Sequence, residues 1–154
     1  MFCVNGMQIM MTAGDTGLLA VIPDEEGYVP TAEDRAVFTV REKPGRRAVM
    51  EKTIVPEADG RVKIEFASAD TARLRPGSYV WDIRFALEAA VDAKGKVTAC
   101  REVITPCAPG RMDIVDALKE GRNEGKREML HGLRTVRANA RSHRTREGDV
   151  QPDL

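Results

Sequence analysis

Two segments of this chain place a large apolar side chain at every second residue with charged ones between, and that constrains the fold more than any other feature. In residues 61–66, Val62, Ile64 and Phe66 alternate with Arg61, Lys63 and Glu65; in residues 79–87, Tyr79, Trp81, Ile83, Phe85 and Leu87 share one face while Asp82 and Arg84 take the other. Such alternation sends one face of an extended strand into a core and the other into water, a pattern no helix satisfies. Gln8–Thr12 and residues 17–22, 36–41, 48–55 and 96–105 add five more short apolar runs. Gly14-Asp15, Pro44-Gly45, Asp59-Gly60, Pro76-Gly77 and Lys94-Gly95 punctuate them with residues that fix φ or tolerate positive φ. The spacing predicts an all-β, antiparallel domain of about seven strands over residues 7–108, and no repeat of solenoid length is present. A length of 154 residues allows one such core and an appendage.

After Pro106, Pro109 and Gly110 the apolar period changes. Ile114, Leu118, Gly121, Gly125, Met129, Gly132 and Val136 fall on one narrow stripe at 3.6 residues per turn, which predicts a helical extension over 109–141 with its helix at 112–140. Three of those seven are glycines, each costing about 1 kcal/mol relative to alanine, so such a helix needs a partner surface to be stable. The stripe is therefore a candidate interface, docking either on a neighbouring copy or back on its own sheet. Residues 1–6 and the polar 142–154 are expected to be disordered.

Arg134, Arg137, Arg141, Arg144 and Arg146 follow one another with no acid between them, although net charge is zero overall. Such a basic patch can neutralise phosphates with steep salt dependence, but no aromatic lies among the arginines to stack on bases. A solvated basic end and an acidic protein partner compete with nucleic acid for the same feature.

Enzymatic constellations find little support. The only histidines, His131 and His143, lie in the tail, apart from the serines and acids a triad would need. Cys3, Cys100 and Cys107 are odd in number and scattered, which points to free thiols rather than a disulfide framework or a zinc site. Residues 121–126 are one residue short of a phosphate loop and are followed by Arg127. The acidic residues Asp24, Glu25, Glu26, Glu33 and Asp34 could collect calcium, but they lack EF-hand spacing, and a solvated loop explains them as well. No catalytic residue, cofactor or metal is expected. No apolar run approaches the roughly 20 residues of a membrane-spanning helix, and the start has no basic n-region, so neither a membrane partner nor a secretory signal is expected.

The most specific local signal runs through residues 70–79. Leu74 is placed to plug the core, Pro76-Gly77 to turn the chain, and Tyr79 to open the next strand with its hydroxyl available for a backbone partner; Asp70 opens the motif. This resembles the tyrosine corner of immunoglobulin-like β-sandwiches. The run Met7-Gln8-Ile9-Met10-Met11-Thr12-Ala13-Gly14-Asp15-Thr16, the acidic Glu33-Asp34, and Asp70-Thr71 through Trp81-Asp82-Ile83 together resemble phage structural proteins similar to the N-terminal domain of baseplate upper proteins. The resemblance covers about residues 7–105 and does not reach the tail. It implies a non-enzymatic sandwich made in a bacterial cytoplasm and built into a virion tail or baseplate, in contact with itself or with other virion proteins. Two other classes stay open: a nucleic-acid-associated protein using the basic tail, and a host-facing carbohydrate-binding or adhesin module. For sugar binding, Tyr28 is the main aromatic that alternation does not turn inward.

Overall fold

In the computed structural model, residues 1–23, 27–116 and 133–138 are described. The chain opens with β1 (Phe2–Asn5) and β2 (Gln8–Thr12). They form an antiparallel hairpin in which Asn5 faces Gln8, leaving Gly6-Met7 as a two-residue loop. Gly6 has φ +63° and Met7 does not have positive φ, the signature of a turn that matches the twist of the flanking strands. The expectation of disorder over 1–6 is thus overturned. Phe2 is buried and its ring lies 6.0 Å from that of Phe66, so the first strand is anchored by its own alternation of inward Phe2 and Val4.

The expected strands follow as β3 (Gly17–Pro23), β4 (Arg35–Arg41), β5 (Ala48–Ile54), β6 (Val62–Phe66) and, after a five-residue helix α1 (Ser68–Ala72), β7 (Gly77–Leu87). The single strand expected over 96–105 is instead broken. β8 (Ala90–Val91) pairs with β9 (Val97–Ala99), while β10 (Glu102–Ile104) returns to pair with the end of β7. The break faces Glu88, whose φ of +51° bends the chain out of β7; opposite it, the Arg101 amide donates to the Leu87 carbonyl at 2.9 Å.

The helix expected from Met112 is also corrected at both of its ends. β11 (Gly110–Val115) and β12 (Leu133–Ala138) are strands. In β11, Gly110, Met112 and Ile114 point inward while Arg111 and Asp113 point outward, which is a period of two. The β-branched pair Ile114-Val115 favours the extended form. Leu118, Gly121, Gly125, Met129 and Gly132 lie outside the described residues.

The protein is all-β, with two main sheets. The larger has the order β1-β2-β11-β7-β4-β5, with β10 beside the far end of β7; the smaller has the order β12-β3-β6. Two pairings are parallel, β2 with β11 and β3 with β12, and the rest are antiparallel. Both sheets feed one core. Phe38 of β4 meets Phe66 of β6 edge-on at 5.6 Å and lies 5.4 Å from Trp81 of β7. Val62, Ile64, Phe66, Tyr79, Trp81, Ile83, Phe85 and Leu87 are all buried, as the alternation of both segments requires.

The connection from β6 to β7 runs through α1 and the turn that follows it. Leu74 is buried in the core, and the Tyr79 hydroxyl donates to the Arg75 carbonyl at 2.6 Å. Asp70 accepts from the Ala67 amide at 2.7 Å, closing the start of α1, and pairs with Lys52 Nζ at 2.8 Å. Those partners outweigh its partial burial and hold its carboxyl below the usual range. Thr71, fully buried, accepts from the Gly14 amide and donates to the Asp15 carbonyl, while Ser68 Oγ donates to the Gly14 carbonyl. The Gly14-Asp15 turn between the two sheets is thereby fastened to the corner.

Candidate assembly interface

β3 contains Leu18-Leu19-Ala20-Val21-Ile22, apolar at every position, so neither of its faces is designed for water. Leu19, Ala20 and Val21 are fully buried. A strand of this kind also needs both backbone edges covered, because an exposed apolar edge recruits other chains. β6 covers one edge antiparallel, from Gly17 opposite Phe66 to Val21 opposite Val62. β12 covers the other in parallel, from Leu133 opposite Leu18 to Ala138 opposite Pro23.

This placement redistributes the residues singled out from the sequence. Ile114 is 2 % exposed and belongs to the core, so it cannot serve as a docking residue. Val136 stands opposite Val21 in the strand pairing, not on a helix face. Of the basic run, Arg134 and Arg137 are opposite Leu19 and Ile22, and Arg141, Arg144 and Arg146 lie outside the described residues. The pairing of β12 with β3 was not visible in local periodicity, since its partner lies more than a hundred residues away.

The acidic loop has a structural centre. Asp34 is 4 % exposed and its carboxylate accepts from the Thr31 amide at 2.9 Å, the Tyr28 hydroxyl at 3.1 Å and the Glu88 amide at 3.0 Å. Burial works to raise its pKa, but the amide donors of Thr31 and Glu88 and the Tyr28 hydroxyl hold the carboxyl below its ordinary value. Burial, with the neighbouring Asp34 charge, pushes the Tyr28 hydroxyl up. Tyr28 is half-buried, edge-on against Phe85 at 5.7 Å, and so is held in the frame rather than presented as a platform for sugar. Asp24, Glu25 and Glu26 lie outside the described residues; among the described residues, no three His, Cys, Asp or Glu side chains are grouped to hold a metal.

Because the folded pKa of Asp34 is depressed, its contribution is present above the unfolded value near 4 and is lost as pH falls through the folded value. Asp34→Asn should cost about 2 kcal/mol at pH 7, where a buried charge-assisted acceptor is lost. Urea unfolding at pH 7 and pH 3 checks this: the gap between the native chain and the variant should narrow at pH 3. An equal gap at both would show that the charge is not what holds the loop.

A second carboxylate ties the outer face of the larger sheet. Asp113 of β11 accepts from Ser78 Oγ of β7 at 2.6 Å and from Gln8 Nε2 of β2 at 2.9 Å, with Arg111 Nε at 3.0 Å. Despite its partial burial, those donors hold its carboxyl low as well. All three cysteines are free, Cys3 and Cys100 exposed and Cys107 buried. Among the described residues, no helix is long and apolar enough to cross a membrane.

What fold and edge define together is an all-β protein in which β12, the last of the described strands, flanks β3 in the smaller sheet. No protein-family model matches the sequence, and no curated protein matches it.

Proposed function

We propose that this chain is a non-enzymatic structural protein of a phage tail or baseplate, an immunoglobulin-like sandwich that works through protein–protein contacts. The observation that carries the reading is the strand order. β11-β7-β4-β5 follows the G-F-C-C′ order of a variable-type immunoglobulin sheet, and β3 with β6 takes the places of B and E in the facing sheet. The Tyr79 hydroxyl on the Arg75 carbonyl sits at the corresponding E–F corner. Trp81 stands two residues after Tyr79, where an antibody domain places its second cysteine, which agrees with free thiols here. The assignment to a virion rests on the resemblance of residues 7–105 to baseplate upper proteins.

Three buried or half-buried polar groups are committed to holding the frame: Asp34 to a loop, Thr71 to an inter-sheet turn, Asp113 to three neighbours. That supports assembly over catalysis as the role. The test is the solution mass, by light scattering, of the full chain beside a chain ending at Asp116, which keeps β11 between β2 and β7. The expected result is a multimer of fixed mass for the full chain and loss of that mass in the shorter one, whose uncovered β3 edge leaves it either monomeric or aggregating without a fixed mass. Two monomers would overturn self-assembly, and equal multimers would move the contact away from the C-terminal segment.

A further inference from the structure

The last two described strands shadow two early ones. β11 runs parallel to β2 and ends with Val115 opposite Thr12, and the Ala13 amide donates to the Val115 carbonyl at 3.0 Å. β12 runs parallel to β3 and starts with Leu133 opposite Leu18. Both pairs therefore pass from the larger sheet to the smaller across the same gap. β2 and β3 are joined by residues 13–16, whereas β11 and β12 are joined by residues 116–132. Four residues suffice for the crossing, and the C-terminal pair has seventeen. Drawn out, seventeen residues reach about 56 Å at roughly 3.3 Å each, several times the gap and about the width of a small domain and its neighbour.

The receiving edge is equally suited to a second chain. β3 is apolar throughout residues 18–22, and without β12 its N–H and C=O groups on that side would face outward as a template. The six register pairs from Leu133–Leu18 to Ala138–Pro23 are the same whether β12 comes from its own chain or from another. Exchange of an identical element between protomers adds no new interface and loses none, so proximity decides between the two. Within an assembly, where neighbours are held at high local concentration, a long connection lets the strand seat next door.

We propose that β12 is an exchangeable strand that seats on the β3 edge of a second copy of this chain and so links protomers by strand addition. The proposal rests on the assembly reading above and names its partner and contact. Reciprocal exchange closes a dimer; one-way exchange gives a ring or a filament.

Disulfide trapping tests it. Ile22 and Arg137 are register partners, and neighbouring strands bring Cα atoms to about 5 Å, within the range a disulfide bridges. In a full chain carrying Cys3→Ser and Cys100→Ser, Ile22→Cys is made in one variant, Arg137→Cys in a second and both in a third. Cys107 stays, since burial and then the Asp82 charge push its thiol up to about 12 and keep it protonated. The two single variants are co-expressed, purified at high concentration, oxidised and run without reductant, with circular dichroism confirming strand content. The expected result is a covalent dimer joining one chain of each kind, absent when either variant is oxidised alone. A double variant that closes within single chains while the mixture gives no covalent dimer would overturn the proposal, as would no bond in either. The light-scattering mass of the Cys3→Ser, Cys100→Ser parent separates the two claims. A multimer without the inter-chain bond refutes exchange alone; a monomer refutes exchange and self-assembly together.

Discussion

Replacing Gly110 by alanine is expected to cost about 3 kcal/mol or to prevent folding. A Cβ at this position would lie 2.4 Å from the Met7 carbonyl oxygen, 2.6 Å from Trp81 Nε1 and 2.7 Å from Trp81 Cε2. The Trp81 indole N–H donates to that same Met7 carbonyl at 3.1 Å, so the added methyl would wedge into a partly buried hydrogen bond. Neither neighbour can give way cheaply. Met7 contributes backbone, and Trp81 is a buried ring packed against Phe38. Overpacking costs about 1–3 kcal/mol and the broken hydrogen bond about 1 more. Gly110 does not have positive φ, so the effect is one of volume. Gly45→Ala is the control: it has φ +82° and open space, and should cost only about 1–2 kcal/mol from conformation. Urea midpoints of the two variants decide the matter, and a Gly110→Ala loss no larger than the control would refute the close approach.

Phe66→Ala should cost about 4 kcal/mol, in the range for emptying a large buried aromatic site. Phe66 is 1 % exposed and touches rings from two strands of the other sheet, Phe2 of β1 and Phe38 of β4. Its loss therefore removes packing between layers as well as apolar burial. Phe66→Leu, which refills part of the space, should recover more than half of the loss. Equilibrium unfolding of the three proteins, with m-values compared, checks both numbers; a loss below about 1 kcal/mol for alanine would mean that the sheets are held together elsewhere.

Where one strand face is core and the other solvent, the fold was legible. Residues 61–66 and 79–87 announced β6 and β7 and named their buried sides, because the burial contrast is written into every second residue. The hydrogen bond of Tyr79 to the preceding turn was readable for a related reason: Leu74, Pro76, Gly77 and Tyr79 lie within one short stretch. The hairpin between Phe2/Val4 and Ile9/Met11 turns on Gly6-Met7, a glycine-first loop whose second residue carries no turn preference and so marks the turn only weakly in the sequence. In β11, Met112 and Ile114 alternate over too few residues to compete with the longer helical stripe that begins at Ile114.

The candidate site was the least legible part. A parallel strand takes its partner and register from a distant element, and nothing within residues 133–138 points to Leu18 or Ile22. Asp34 is similar: among the acids of its loop it is singled out by the amides of Thr31 and Glu88 that surround it, and Glu88 is 54 residues away.

The position of β11, inserted between β2 and β7, bears on how the protein is made. Gln8 of β2 pairs with Arg111, so β2 waits for about a hundred more residues before its inner edge is satisfied. At about 5–20 residues per second, that is a delay of roughly 5–20 seconds. Through that interval the β2 edge that will flank β11 stands open, joined by the β7 edge once residues 77–87 are made, and pairings of such long sequence separation form slowly. Biosynthesis therefore leaves the larger sheet unfinished until β11 is made, which lengthens the time in which its open edges can pair wrongly.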